Sequence, residues 1–236
     1  MAQLFFAPII ENGFARLDEE ESRHLLTVLR RKTGDHLQLT DGKGFLYEAE
    51  LVEVGKKHAT ARVLSRVADP HARPLRLHIA LAPTKQIERF EWFLEKATEM
   101  GIETITPLLC KRSERETVRI DRLEKVLHSA MKQSLRGFLP QLNDLTPFAK
   151  LVKSAGETQK HIAWCAETPL PHLQSVLSTG GGDALILIGP EGDFTPQEVR
   201  LALDHGFTGV NLGSARLRTE TAGLMAVAVA NLLSTR

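Results

Sequence analysis

The sequence predicts an α/β protein in two parts: a small β-barrel over residues 1–70, and a mostly parallel, helix-covered sheet over residues 74–236. Three observations carry that expectation. The first seventy residues break into short strand-like runs separated by turn signals, with one helix among them. From Leu75 onward, strand-like and helix-like segments alternate. Between the two patterns lies Asp69-Pro70-His71-Ala72-Arg73-Pro74, whose two prolines suit neither a helix nor a strand interior.

In the first part, strands are expected at 3–6, 14–17, 36–40, 45–54 and 59–67, and a helix at 20–31. Turn residues separate them at Glu11-Asn12-Gly13, Asp41-Gly42-Lys43-Gly44 and Gly55-Lys56-Lys57. In the second part, a strand at 77–81 leads through Pro83-Thr84-Lys85 into a helix. Ile87, Phe90, Leu94 and Ala97 give that helix one apolar face, and Gly101 stops it. A strand at 102–109, a basic helix at 119–135 and a strand at 161–166 follow. The run Ala184-Leu185-Ile186-Leu187-Ile188 reads as a strand, and Val210-Asn211-Leu212 as another. Thr195-Pro196-Gln197-Glu198 is a capping box with Pro at its first helical position, so a helix starts just beyond Gly189. That start puts the Gly189 loop at the carboxyl edge of the sheet. Gly180-Gly181-Gly182 is a flexible turn. The apolar segment 222–233 is shorter than the about 20 residues of a membrane span and is expected to be a buried helix.

Bulk properties narrow the class. Hydrophobic content of 42%, charge of 25% and a formal net charge of +1 describe a soluble globular protein with no global electrostatic sign of a nucleic-acid partner. Cys110 and Cys165 lack metal-ligand spacing and sit in apolar runs, which points to buried thiols in a reducing compartment. Residues 1–8 lack a basic region and are too short for a signal peptide. A cytoplasmic protein with no membrane partner and no metal is expected, since the nine histidines form no ligand pattern.

Two loops carry the chemistry: Gly189-Pro190-Glu191-Gly192-Asp193 and Leu212-Gly213-Ser214-Ala215-Arg216-Leu217-Arg218-Thr219-Glu220-Thr221-Ala222. Each leaves a strand and enters a helix, and ligands of open α/β sheets bind at such carboxyl edges. The dinucleotide fingerprint G-x-G-x-x-G, the P-loop and G-x-S-x-G are all missing. Spacing alone leaves a second reading open, with Glu191 a solvated turn carboxylate and Thr219-Glu220 a helix start. Basic residues gather at Lys111, Arg112, Arg115, Arg119, Arg122, Lys125, Lys132 and Arg136, and again at His24, Arg30, Arg31 and Lys32. A solvated helix face explains such runs, and so does a clamp on a phosphate backbone.

Gly189-Pro190-Glu191-Gly192 and Leu217-Arg218-Thr219-Glu220-Thr221-Ala222 resemble the signature loops of the SPOUT methyltransferases. His24-Leu25…Val28-Leu29-Arg30, Lys96…Thr98-Glu99-Met100-Gly101 and Gln133-Ser134…Arg136…Pro140 narrow the resemblance to the bacterial ribosomal RNA small subunit methyltransferase E family. It covers nearly the whole chain. It implies a PUA-like barrel, a catalytic domain with a deep trefoil knot, a homodimer, and S-adenosylmethionine-dependent methylation of uridine N3 in 16S rRNA, within the 30S subunit. By resemblance, Ile188, Gly189, Glu191, Gly192, Leu212, Gly213, Leu217 and Arg218 would hold the cofactor. Arg218 would offset charge on the uracil oxygens, and Glu220 or Glu191 would accept the proton. His24, Arg30, Arg31, Arg112, Gln133 and Arg136 would hold RNA. Asp193 and Ala215-Arg216 depart from the family pattern. A non-catalytic RNA-binding assembly factor is the alternative, and a dinucleotide-dependent oxidoreductase lacks its glycine motif.

Overall fold

The computed structural model describes residues 3–55, 58–166, 168–178 and 180–234. The turn expected at 55–57 lies mostly outside them. Two compact units form, and neither is contiguous in sequence. One takes residues up to Ala72 with Leu127–Leu139, and the other takes Arg73–Val126 with residues from Pro140 onward.

The first unit holds β1 (Leu4–Phe6), β2 (Ile9–Glu11), β3 (Phe14–Leu17), β4 (His36–Thr40), β5 (Phe45–Val54) and β6 (Ala59–Ala68). They pair in the order β1-β4-β5-β6-β3-β2, with β1 and β4 parallel and the other neighbours antiparallel. Register shifts between Glu48/Ala49 and Leu51/Glu53 break the long β5–β6 ladder, and bulges of this kind bend and twist a sheet. Phe5, Leu17, Leu37, Leu39 and Leu51 belong to the core of this unit. Asp18 caps the short α1 (Glu19–Arg23) by accepting from the Glu21 amide at 2.8 Å. A π-helical turn, His24–Val28, then replaces the regular helix expected as far as residue 31. Gly137 ties residues 127–139 to this unit: its amide donates to Asp69 Oδ2 at 2.8 Å, and its carbonyl accepts from Thr40 Oγ1 at 2.9 Å.

The second unit holds β7 (Arg76–Leu81), β8 (Thr104–Leu109), β9 (Gln141–Leu142), β10 (Thr146–Pro147), β11 (Gln159–Ala163), β12 (Asp183–Ile188) and β13 (Thr208–Val210). Their order is β10-β8-β7-β12-β11-β13, with β9 also on β8, and every pairing is parallel. The continuous apolar run of β12 follows from burial on both faces. The helices are α2 (Ile87–Met100), α3 (Ile120–Gln133, whose second half belongs to the first unit), α4 (Phe148–Ser154), α5 (Leu173–Val176), α6 (Pro196–Asp204) and α7 (Thr219–Ser234). Gly101 caps α2 at φ +84°, and the capping box of α6 is complete in both directions.

Several expectations need correction. Strand β13 ends at Val210, so Asn211 and Leu212 belong to the loop. Strand β11 ends at Ala163, which leaves Cys165 in a loop and exposed, whereas Cys110 is buried. Helix α7 is not fully buried, with Met225 38% and Leu232 69% exposed. No helix among the described residues is long and apolar enough to cross a membrane.

Candidate active site

Parallel register builds the site. Ala163, the last residue of β11, lies opposite both Ile188 of β12 and Val210 of β13. Three strands therefore end level, and the loops that leave them open onto one cleft of about 1280 Å³. Ile188, Gly189, Glu191, Gly192, Leu212, Gly213, Leu217, Arg218 and Glu220 all line it. The structure thus gathers every expected cofactor-binding and catalytic residue.

Glycine serves different ends in the two loops. A Cβ on Gly189 would press on the Phe194 ring at 3.2 Å, tighter than an ordinary contact, so the packing there favours glycine. Gly213 adopts φ +124°, open only to glycine, and a Cβ there would meet nothing within 4 Å. Its amide donates to Asn211 Oδ1 at 3.1 Å, which shapes the turn out of β13.

Each carboxylate of the cleft has a partner. Glu191 Oε1 accepts from the Lys85 amide at 3.1 Å, joining the first loop to the turn before α2. Asp193 sits at φ +61°; its carboxylate accepts from the Phe194 amide at 2.7 Å and, across the cleft floor, from the Cys165 amide at 2.9 Å. Glu220, in the first turn of α7, is 7% exposed and lies 4.0 Å from Arg89 Nε. Arg216 and Arg218 are exposed, and neither guanidinium has a hydrogen-bond or ion-pair partner among the described residues.

Sequence reasoning missed Arg89. The strand–helix alternation held the signal: the first turn of a helix that follows a parallel strand starts at the same carboxyl edge as the glycine loops. It also missed how Arg112 is used, since its guanidinium donates to the Gly192 carbonyl at 2.7 Å and braces the first loop. Arg115 does the same for the turn before α2, donating to the Lys85 carbonyl at 2.7 Å. The other residues expected to hold RNA lie in the first unit. His24 opens the π-helical turn, Arg30 follows it at φ +55°, and Arg31 lies 3.9 Å from Asp35. Gln133 ends α3, and Arg136 follows it.

An RNA methyltransferase domain model matches residues 71–231, and an RNA methyltransferase PUA domain model matches residues 17–64. Ribosomal RNA small subunit methyltransferase E of Synechocystis is 31% identical, over 92% of this chain and 72% of its own length. The chain belongs to the ribosomal RNA small subunit methyltransferase E family. The Rickettsia conorii member of that family is 30% identical, over 95% of this chain and 92% of its own. A crystal structure of the Neisseria gonorrhoeae member, bound to S-adenosylmethionine, superposes with a TM-score of 0.87 at 28% identity, covering 99% of this chain and 98% of that one. A protein of Porphyromonas gingivalis superposes with a TM-score of 0.90 at 39% identity, over 99% and 98% of the two chains. As a member of this family the chain is an rRNA methyltransferase, built from a small PUA-containing β unit and a parallel α/β unit.

Proposed function

We propose that this enzyme transfers the methyl group of S-adenosylmethionine to N3 of a uridine in 16S rRNA of the small subunit. One observation carries the reading: a buried carboxylate, Glu220, and an unpaired guanidinium, Arg218, flank the start of α7 in a cleft floored by two glycine loops. The cleft fits the cofactor. Its volume exceeds that of ordinary small-molecule pockets, and the space over Gly213 lets a ligand reach the backbone. Backbone groups of Ile188, Gly189, Gly192, Leu212, Gly213 and Leu217 would hold it. The bound cofactor supplies a methyl group already activated on a sulfonium.

The chain's own task is to prepare the acceptor. Uridine N3 is an imide nitrogen and attacks only as its proton leaves, with negative charge spreading onto O2 and O4. Glu220 accepts the proton, and Arg218 faces the oxygens. Glu191, committed to the Lys85 amide, braces its loop instead. N3 lies on the Watson–Crick edge, so the base enters unpaired or flipped out. His24, Arg30, Arg31, Gln133 and Arg136 hold the RNA, with whatever donors Arg112 keeps free of Gly192.

Further parts of the reading concern the whole enzyme. Its rRNA substrate belongs to the cytoplasm, and the 30S particle is the form we assign as substrate. Exposed Trp92 on α2, with Met225 and Leu232 on α7, suits a homodimer interface; sedimentation at the mass of a single chain would remove it. The trefoil knot belongs here too. Stretched from its ends, a knotted chain reaches a shorter contour length than 236 extended residues.

The deciding experiment incubates the protein with methyl-labelled S-adenosylmethionine and unmodified 30S subunits, then separates the digested nucleosides. Label in N3-methyluridine is expected, and label in another nucleoside would overturn the base chemistry. Arg218→Ala should leave cofactor affinity intact and lower turnover by roughly 10²–10³. A loss of cofactor affinity instead would make Arg218 a cofactor ligand only.

A further inference from the structure

We propose that Arg216 binds a phosphate of the RNA substrate beside the nucleotide being methylated, an inference that rests on the cleft being the methyl-transfer site. The pairing of charged groups inside the cleft points to it. Among the described residues, Arg89, Arg216 and Arg218 face Glu191, Asp193 and Glu220 there. The three carboxylates are already engaged, by the Lys85 amide, by the Cys165 and Phe194 amides, and by Arg89. Two guanidinium groups on one loop, those of Arg216 and Arg218, are left without a hydrogen-bond or ion-pair partner among the described residues.

The cofactor does not supply the balance, because its sulfonium, ammonium and carboxylate sum to one positive charge. The three guanidinium groups and three carboxylates of the cleft balance without it, so binding it leaves one positive charge in excess. The developing uridinate answers one guanidinium, and Arg218 is the better placed for it, two residues from buried Glu220. Arg216 lies farther out, at the end of the exposed stretch 213–216 and three residues before α7. The second anion must come from the substrate, and RNA brings one at every nucleotide. A planar guanidinium with a rigid fork of donors suits a phosphate in two-point contact.

The test measures equilibrium binding of unmodified 30S subunits over a range of KCl at fixed Mg²⁺, and S-adenosylmethionine binding separately. Arg216→Gln should weaken subunit binding about tenfold, the scale of one lost charge-assisted contact. The slope of log Kd against log[KCl] should become shallower by about 0.7, the value for one phosphate contact on single-stranded nucleic acid. Cofactor affinity should stay unchanged, and Arg216→Lys should restore the slope. An unchanged slope and affinity in Arg216→Gln would overturn the proposal. Weakened cofactor binding with normal subunit binding would overturn it as well, by assigning Arg216 to the cofactor carboxylate. Should the wild-type protein bind subunits yet transfer no methyl, the proposed reaction fails, and the salt slope still decides Arg216.

Discussion

Glu220 is the residue on which the proposed chemistry turns, and its surroundings make a specific demand. A carboxylate this buried needs a charged partner, and Arg89 is the cation beside it. In the proposed mechanism Arg89 therefore orients Glu220 rather than acting by itself. Glu220→Gln should lower kcat by about 10²–10⁴, the usual contribution of a general base. Arg89→Met should lower it by a smaller factor, and the two losses should not multiply in the double variant. Fully multiplicative losses in single-turnover assays would show that Arg89 acts independently of Glu220. Asp193 makes a second demand at this scale. Glycine accepts its positive φ readily but offers no carboxylate to the Cys165 amide. In Asp193→Gly, Cys165 should react faster with a thiol reagent and cofactor affinity should fall, while Cys110 stays inert. Cys110 is the internal control, because burial keeps its thiol protonated well above the ordinary range. Labelling of Cys165 at the wild-type rate would mean that Asp193 does not hold the loop.

Elements with a long period or a strong cap were legible in the sequence. β12 stood out as an unbroken apolar run, α2 by its apolar face and Gly101, and α6 by its capping box. The short elements were not. β2, β9 and β10 have two or three residues each and owe their existence to a neighbouring strand, so no local pattern marks them. The π-helical turn at His24–Val28 widens a helix that periodicity alone continues regularly. Within the site, the glycine loops were readable from residue types, whereas the Arg89–Glu220 and Asp193–Cys165 contacts join residues distant in sequence. Helix α7 holds a further position that propensity misjudges. Alanine at Gly223 would gain about 1 kcal/mol of helix propensity. Its Cβ, however, would stand 2.3 Å from Leu81 Cδ1 and 2.8 Å from the Phe93 ring, both fully buried. Overpacking costs about 1–3 kcal/mol, so Gly223→Ala should be net destabilising in urea denaturation. A stabilised variant would show that α7 can move away from β7 and α2 at little cost.

Stability of the whole molecule should depend on acid through two groups, buried His161 and partly buried Glu157, in separate pH windows. His161 in β11 is 5% exposed, neither ring nitrogen has a hydrogen-bond partner among the described residues, and burial pushes its pKa below the ordinary value. Above about pH 6.5 the imidazole is neutral in both the folded and the unfolded chain and has no effect. Below that pH the unfolded chain takes up a proton that the folded chain refuses, so stability falls as pH drops, until the lowered folded pKa is passed. The second group is Glu157, which accepts from His78 Nδ1 at 2.6 Å, while His78 Nε2 lies 2.7 Å from Thr106 Oγ1 and Asn143 donates to that oxygen at 2.8 Å. The contact with His78 holds the Glu157 carboxyl below its ordinary pKa. Its contribution is therefore present above about pH 4.3 and is lost as pH falls through the folded value. Urea titrations at pH 8, 7, 6 and 5 cover the His161 window, and further points at pH 4 and 3 reach that of Glu157. His161→Leu should match the wild type within about 1 kcal/mol at pH 8, because an apolar group replaces an unpaired polar one. It should also flatten the decline between pH 7 and 5, leaving only the Glu157 loss below it. A variant that still declines like the wild type would move the cause away from His161.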